Sequence, residues 1–132
     1  MKNSYALVTG ATSGIGLEIS KDLAKRGYNL ILVARTRDKL DSLSSELASE
    51  YNVDCDFFSS DLTLINSPNK IYEYTSQKKY NVNILINNAG YALPNAFHEN
   101  SLEDEEKCLR VLGISVIALT KKYINDMISN GG

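Results

Sequence analysis

Two apolar runs near the start of the chain predict buried strands. Residues 5–8 and 30–34 are apolar or nearly so without alternation, which is typical of strands covered on both faces of a parallel sheet. Between them, Ile15, Ile19 and Leu23 recur at a spacing of four, and Gly27 follows as a stop signal. The pattern therefore predicts a strand, an amphipathic helix with these residues on its apolar face, and a second strand.

The same alternation of strands and helices continues along the chain. Thr36 is a suitable cap for a second helix, and Ser101 with Asp104 resembles a capping box that opens a last, long helix. Ser67 suits an N-cap because Pro68 follows it in the first helical position. The remaining expected elements are a helix marked by Leu40, Leu43, Leu47 and Tyr51, a strand over 53–59, a helix over 67–79 and a strand over 82–87.

This order of elements predicts an α/β fold with a doubly wound parallel sheet of about four strands and helices on both faces. The sheet is expected to be incomplete, because no strand follows the last helix. The fourth strand should then lie at an edge and present residues 84–86.

Composition narrows the range of partners. The 132 residues carry 14 basic and 16 acidic side chains, a net charge of −2, so nucleic acid is not an expected partner. The N-terminal apolar run is too short for a signal peptide or a membrane span, and we expect a cytoplasmic protein without a membrane partner. Cys55 and Cys108 have no further Cys or His at ligand spacing, so no metal site is predicted.

A glycine-rich segment, Thr-Gly-Ala-Thr-Ser-Gly-Ile-Gly over residues 9–16, follows the first strand and opens the first helix. Glycine permits a sharp turn and a close approach of the backbone to a pyrophosphate, while the helix N-terminus favours an anion. The alternative is a tight turn without a ligand. The flanking strand and helix favour a phosphate-binding loop.

Three motifs in order resemble the short-chain dehydrogenase/reductase family. They are the Thr-Gly-x3-Gly-x-Gly loop, Asp61-Leu62 after the third strand, and the sequence Asn-Asn-Ala-Gly over residues 87–90 after the fourth. The resemblance implies an NAD(P)-binding Rossmann domain over 1–132, with Asp61 and Leu62 flanking the adenine and Asn88 and Gly90 along the ribose side. The candidate cofactor-binding residues are Gly10, Thr12, Ser13, Gly14, Ile15, Gly16, Arg35, Asp61, Leu62, Asn88, Ala89 and Gly90.

The end of the second strand favours NADP over NAD. An acidic residue about 20 positions beyond the glycine loop would bind the ribose hydroxyl of NAD, but here Arg35 follows Ala34. A guanidinium can pair with a 2′-phosphate through two hydrogen bonds, and Ser13 could donate to the same phosphate. The alternative is that Arg35 and Arg37 form a solvated helix start, although two positive charges there oppose the helix dipole.

The catalytic residues that the resemblance implies are a Tyr-x3-Lys pair after a fifth strand and a serine upstream of it. The chain has one Tyr-x3-Lys string, Tyr74 to Lys78, but it precedes the fourth strand and is interpreted as a coincidence of helical surface residues. No catalytic residue is therefore expected. We interpret the domain as truncated before the catalytic segment and inactive alone.

The long helix departs from the family at one position. Relatives place an asparagine of the proton relay eight residues before a threonine, and counting back from Thr120 reaches Leu112. Gly113 beside it should cost the helix about 1 kcal/mol relative to alanine. His98 is interpreted as a loop residue, with contact to a substrate as the alternative.

The leading hypothesis is an NADP(H)-dependent oxidoreductase that transfers a hydride between the nicotinamide and a carbonyl or alcohol substrate, this chain being its cofactor-binding part. The alternatives are a non-catalytic nucleotide-binding or assembly subunit, or an inactive truncated product. Residues 34–40 are similar to members that act on ketoacyl or steroid-like ketones. The helical segment that begins at Leu109 and ends at Met127 is expected to join a homo-oligomer, or else to cover the sheet.

Overall fold

A four-stranded parallel sheet forms the centre of the protein, in a computed structural model that describes residues 4–131. The strands are β1 (Ser4–Thr9), β2 (Asn29–Ala34), β3 (Cys55–Ser59) and β4 (Asn81–Ile86). The helices are α1 (Gly14–Lys25), α2 (Arg37–Tyr51), α3 (Ser67–Gln77), α4 (Leu102–Leu109) and α5 (Ser115–Ser129). The strand order is β3-β2-β1-β4 and all three pairings are parallel, so the predicted fold class is confirmed and β4 lies at an edge.

The two faces of the sheet have separate apolar cores. Alternate residues of β1 and β2 point to opposite faces, because side chains in a strand alternate with a period of two. Ala6 and Leu32 pack with residues of α1 and α2, whereas Leu7 and Ile31 pack with residues of α3 and α5. The uninterrupted apolar runs therefore correspond to strands covered on both sides, as predicted.

The predicted apolar face of α1 is only partly correct, because Leu23 packs against the core and Ile15 does not. Ile15 is 73% exposed, and the fully buried residues of this helix are instead Gly16, Ser20 and Ala24. These small residues recur at a spacing of four and let the helix lie close to β1. Large side chains could not occupy that face, because a Cβ atom at Gly16 would overlap the backbone of the glycine loop.

The predicted helix ends are mostly close to the observed ones. Gly27, with φ +83°, follows the end of α1, and the Ser101 hydroxyl accepts a hydrogen bond from the N–H of Asp104 at 3.1 Å. Ser67 was predicted as the N-cap of α3, but Asn66 occupies that position. The reason is that the Ser67 hydroxyl donates to the carbonyl oxygen of Asp61 and so holds the preceding loop instead.

The long last helix is interrupted by a π-helical turn at Arg110–Ile114, between α4 and α5. Leu112 and Gly113 lie inside this turn, where the sequence predicts weak helix formation. Val111 and Leu119 are buried against the sheet, whereas Ile117 is 66% exposed on the other side. This segment therefore covers the sheet with one face and leaves a second apolar face exposed.

Asp56 in β3 links the sheet to α3 and to the segment after it through hydrogen bonds with two tyrosines. Its carboxylate accepts hydrogen bonds from the Tyr74 hydroxyl at 2.7 Å and the Tyr80 hydroxyl at 2.8 Å, and the Lys78 ammonium lies 3.7 Å away. Burial alone would raise the pKa of Asp56, but these hydroxyls, the N–H of Phe57 and Lys78 outweigh burial and hold the pKa below its ordinary value. The folded chain therefore stabilises the ionised form.

Replacing Asp56 by asparagine should make unfolding less dependent on pH. The pKa of Asp56 is lower in the folded chain than in the unfolded chain, so the ionised carboxylate stabilises the fold. This contribution is fully present above the pKa of the unfolded chain, about 3.9, and is lost as the pH falls through the pKa of the folded chain. We expect D56N to lower the free energy of unfolding at pH 7 by about 1 to 2 kcal/mol. Urea titrations between pH 7 and pH 3 should show the difference from wild type shrinking below about pH 4.

Asp54→Asn is the matched control for this experiment. The Asp54 carboxylate makes no hydrogen bond or ion pair with any residue in the range 4–131. A loss in D54N as large as that in D56N would show that general surface charge, rather than the tyrosine contacts, sets the acid sensitivity.

Candidate cofactor-binding site

A cleft of about 240 Å³ opens at the carboxyl ends of the strands, where ligands bind in open α/β sheets. Eight of the twelve predicted site residues line it: Gly10, Thr12, Ser13, Arg35, Asp61, Leu62, Ala89 and Gly90. The other four do not. Gly14 and Ile15 line an apolar depression on the outer side of α1, while Gly16 and Asn88 pack beneath the loop.

Sequence reasoning missed several residues that line the same cleft: Val33, Ala34, Thr36, Lys39, Ser60, Thr63, Tyr91 and Val111. Most of them lie at the carboxyl end of a strand or in the segment after it, a position that could have marked them. Lys39 carries no such signal, because it lies in the third position of α2.

The glycine loop reaches its shape through backbone angles that glycine favours. Gly10 and Gly14 have φ values of +65° and +54°. A Cβ at Gly10 would lie 2.9 Å from the side-chain nitrogen of Asn88. Ser13 is the N-cap of α1, yet its side chain makes no capping hydrogen bond. The first turn of α1 therefore keeps free N–H groups, which can bind an anion.

Thr9 and Asn88 join the glycine loop to the turn after β4. The buried Thr9 hydroxyl accepts hydrogen bonds from the N–H groups of Asn88 at 3.1 Å and Ala89 at 3.0 Å, and it donates to the Ile86 carbonyl at 3.4 Å. The Asn88 side chain donates to the carbonyls of Thr9 at 3.1 Å and Gly10 at 3.2 Å. Asn88 therefore holds the wall of the cleft and does not line it.

The loop after β3 is ordered by Asp61. One carboxylate oxygen accepts hydrogen bonds from the N–H of Thr63 at 2.9 Å and from its hydroxyl at 2.7 Å. Leu62 is buried in the core that faces α3 and α5. The pair thus presents a fixed polar residue and a fixed apolar residue at the cleft.

In the described part of the chain, two basic side chains and one carboxylate line the cleft. Arg35 and Lys39 line it beside the N-terminus of α2, and Asp61 is the one carboxylate in the lining that residues 4–131 provide. Arg37 does not line it, since its guanidinium lies over the Phe57 ring, 5.4 Å from the centroid. The end near β2 is therefore suited to an anion.

At the other end, Leu112 lies against Gly90. A Cβ at Gly90 would be 2.8 Å from a Leu112 methyl carbon, and Leu112 itself is 53% exposed. Asn87 links this region to α5 by donating to the Thr120 hydroxyl at 3.2 Å. The π-helical turn thus forms part of the surroundings of the cleft.

Tyr74 lies in α3 and Lys78 is the C-cap of that helix, and neither residue lines the cleft. The interpretation of Tyr74 as a plain surface residue is wrong, because its side chain is partly buried and bonded to Asp56. Burial first, and then the bond to Asp56, raise the pKa of Tyr74 above its ordinary value. A general acid near neutral pH needs the opposite shift, so this pair is structural.

The family model described as "short chain dehydrogenase" matches residues 4–132 of this chain. The chain therefore belongs to the short-chain dehydrogenase family of oxidoreductases. Among curated relatives, the very-long-chain 3-oxoacyl-CoA reductase of Pyrenophora tritici-repentis is 35% identical, covering 97% of this chain and 39% of that protein. The reductase of the same name from Bos taurus is 34% identical, covering 94% of this chain and 40% of that protein.

Solved structures have the same fold. The L-sorbose reductase from Gluconobacter frateurii, complexed with NADPH and L-sorbose, superposes with a TM-score of 0.91 at 27% identity, covering 97% of this chain and 49% of that one. A short-chain dehydrogenase from Sphingobium yanoikuyae in complex with NADPH gives 0.89 at 30% identity, with coverages of 97% and 50%. The chain thus spans about two fifths of the length of these curated relatives and about half of the length of these structures.

Within residues 4–131, no helix has the length and apolar character needed to cross a membrane.

Proposed function

We propose that this chain is the coenzyme-binding part of an NADP(H)-dependent short-chain oxidoreductase that interconverts a carbonyl and an alcohol. The choice of NADP(H) over NAD(H) rests on the position of Arg35. This residue lines the cleft at the end of β2, where an NAD-specific site would have an acidic residue. The NADPH complexes of the two similar structures support the same choice.

The residues of the cleft fit a dinucleotide. The free N–H groups of α1 would hold the pyrophosphate, with Gly10 allowing close approach. Asp61 and Leu62 would contact the adenine, and Ala89 and Gly90 the ribose side. When bound, the nicotinamide supplies or accepts the hydride, while this chain's residues bind and orient the coenzyme.

For the whole protein we propose a 3-oxoacyl thioester as the carbonyl substrate. The support is the group of relatives named as very-long-chain 3-oxoacyl-CoA reductases, which align over nearly all of this chain.

We place proton transfer in residues outside 1–132, because Tyr74 and Lys78 are engaged by Asp56 away from the cleft. A cytoplasmic location is part of the proposal and is supported by two free cysteines, Cys55 and Cys108.

A non-catalytic nucleotide-binding subunit is the second candidate. Leu112 favours it, because an apolar side chain stands where the family's relay asparagine is expected. Both candidates require nucleotide binding, and carbonyl-dependent oxidation of NADPH by the whole protein separates them.

We also propose that two copies associate through the exposed face of α5. Ile117, Ile124 and Ile128 are exposed there and recur at spacings of seven and four, which places them on one side of the helix. Sedimentation of wild type against Ile117→Lys tests this, and an unchanged oligomeric state in the variant would count against it.

Changing Arg35 to glutamine should weaken binding of NADPH by about tenfold to a hundredfold while leaving NADH unaffected, since only NADPH carries the 2′-phosphate. Fluorescence titration of both coenzymes measures the two affinities. Arg26→Gln is the matched control, because Arg26 is the C-cap of α1 and pairs there with Asp22, at the opposite end of the helix from the glycine loop. Equal affinities of wild type for NADPH and NADH would defeat the choice of coenzyme.

A further inference from the structure

Three basic residues follow β2 at intervals of two, namely Arg35, Arg37 and Lys39. A 2′-phosphate carries a charge of about −1.5 to −2 at pH 7, so a single guanidinium neutralises only part of it. The question is which of the other two residues completes the pairing. This step rests on the proposed binding of NADP(H).

Arg37 is already engaged elsewhere. Its guanidinium lies 5.4 Å from the centroid of the Phe57 ring in β3, an arrangement that favours a cation over the aromatic face. Arg37 is also absent from the lining of the cleft. A move toward a phosphate would therefore cost it the contact with Phe57.

Lys39, unlike Arg37, lies at the cleft. It lines the cleft together with Arg35, Thr36 and Ser13. No carboxylate among residues 4–131 lies within 4.0 Å of its ammonium, as each of the ion pairs in this range involves another basic residue. A cation in the first turn of a helix is disfavoured by the helix dipole unless an anion is near.

Asp38 and Glu46 line a separate depression, which Lys39 also borders, and neither lines the cleft. Lys39 thus stands between the two depressions, and its flexible stem can carry the ammonium into the cleft.

The hydroxyl groups on this side of the cleft point to the same ligand. Thr36 is the N-cap of α2 and Ser13 is the N-cap of α1, and neither side chain makes a capping hydrogen bond. Both line the cleft and can donate to a phosphate. We infer that Lys39 is the second cation of the 2′-phosphate site, acting with Arg35 as a specificity-determining residue, and that Arg37 takes no part.

Calorimetric titration of the full chain with adenosine 2′,5′-bisphosphate and with 5′-AMP tests this inference without measuring activity. We expect Lys39→Gln to weaken binding of the bisphosphate about fivefold to tenfold and to leave 5′-AMP unchanged, since the loss is one charge-assisted contact to the 2′-phosphate. Arg37→Gln removes a charge two residues away and should change neither affinity. Circular dichroism of each variant establishes that it is folded.

The titrations test the role of Lys39 separately from the binding of NADP(H). If wild type prefers the bisphosphate and Arg35→Gln abolishes that preference while Lys39→Gln does not, the role of Lys39 is overturned and NADP binding stands. If Arg37→Gln loses as much as Lys39→Gln, general electrostatics replaces the specific assignment. If wild type shows no preference for the bisphosphate, the proposed coenzyme fails as well.

Discussion

Gly16→Ala should lower the free energy of unfolding by about 3 kcal/mol, because the new methyl group has no room. It would overlap the carbonyl oxygen of Gly10 and the side-chain nitrogen of Asn88, and it would lie 2.9 Å from the Gly10 carbonyl carbon. Backbone atoms cannot move aside without displacing α1 from β1. Urea unfolding of the variant and wild type measures the loss.

Gly113→Ala is the control with the opposite expected sign. A Cβ there meets only a Leu109 methyl carbon at 3.5 Å, which is ordinary contact, so the variant should gain up to about 1 kcal/mol from helix propensity. A Gly16→Ala protein as stable as wild type would mean that α1 does not lie as close to the sheet as described.

Thr9→Val should cost about 3 kcal/mol of stability and should also weaken nucleotide binding. Valine keeps the shape of threonine, but it leaves the N–H of Ala89 without its acceptor and the N–H of Asn88 with the Ile86 carbonyl alone, in a site where residue 9 is 1% exposed. The turn that contributes Ala89 and Gly90 to the cleft would lose its anchor to β1. Urea unfolding and titration with NADPH measure the two effects.

Thr9→Ser separates the hydroxyl from the methyl group. Serine retains the hydrogen bonds and loses one buried methyl, so a loss of about 1 kcal/mol with nearly normal binding is expected. If serine and valine at residue 9 proved equally damaging, packing rather than hydrogen bonding would hold the turn.

The strands and the position of the cleft could be predicted because their signals are local. An uninterrupted apolar run such as that of β1 marks a strand covered on both faces, and parallel strands bring Gly10, Arg35, Asp61 and Ala89 to one edge of the sheet. Each of these residues directly follows a strand or lies in the turn after one. Their proximity therefore follows from topology without any knowledge of side-chain contacts.

The orientation of α1 and the partners of Asp56 could not be predicted in this way. Periodicity placed Ile15 on the covered face, but the close approach of helix and strand admits only small residues such as Gly16 and Ala24. The bonds of Asp56 to Tyr74 and Tyr80 span 18 and 24 residues and depend on how α3 docks. Contacts of this kind are set by tertiary packing, which a pattern along one segment does not encode.

The position of β1 between β2 and β4 also sets an order of assembly. The hydrogen bond from Thr9 to Ile86 joins residues that are 77 positions apart in sequence, and the bond from Asn88 to Thr9 spans 79 positions. The cleft can therefore form only after the long chain segment between these residues has been ordered. The units from β1 to β3 form through shorter connections and can collapse earlier. Competence to bind nucleotide should consequently arise late in folding, when β4 docks, and NADPH added to a refolding chain should slow unfolding more than it accelerates folding.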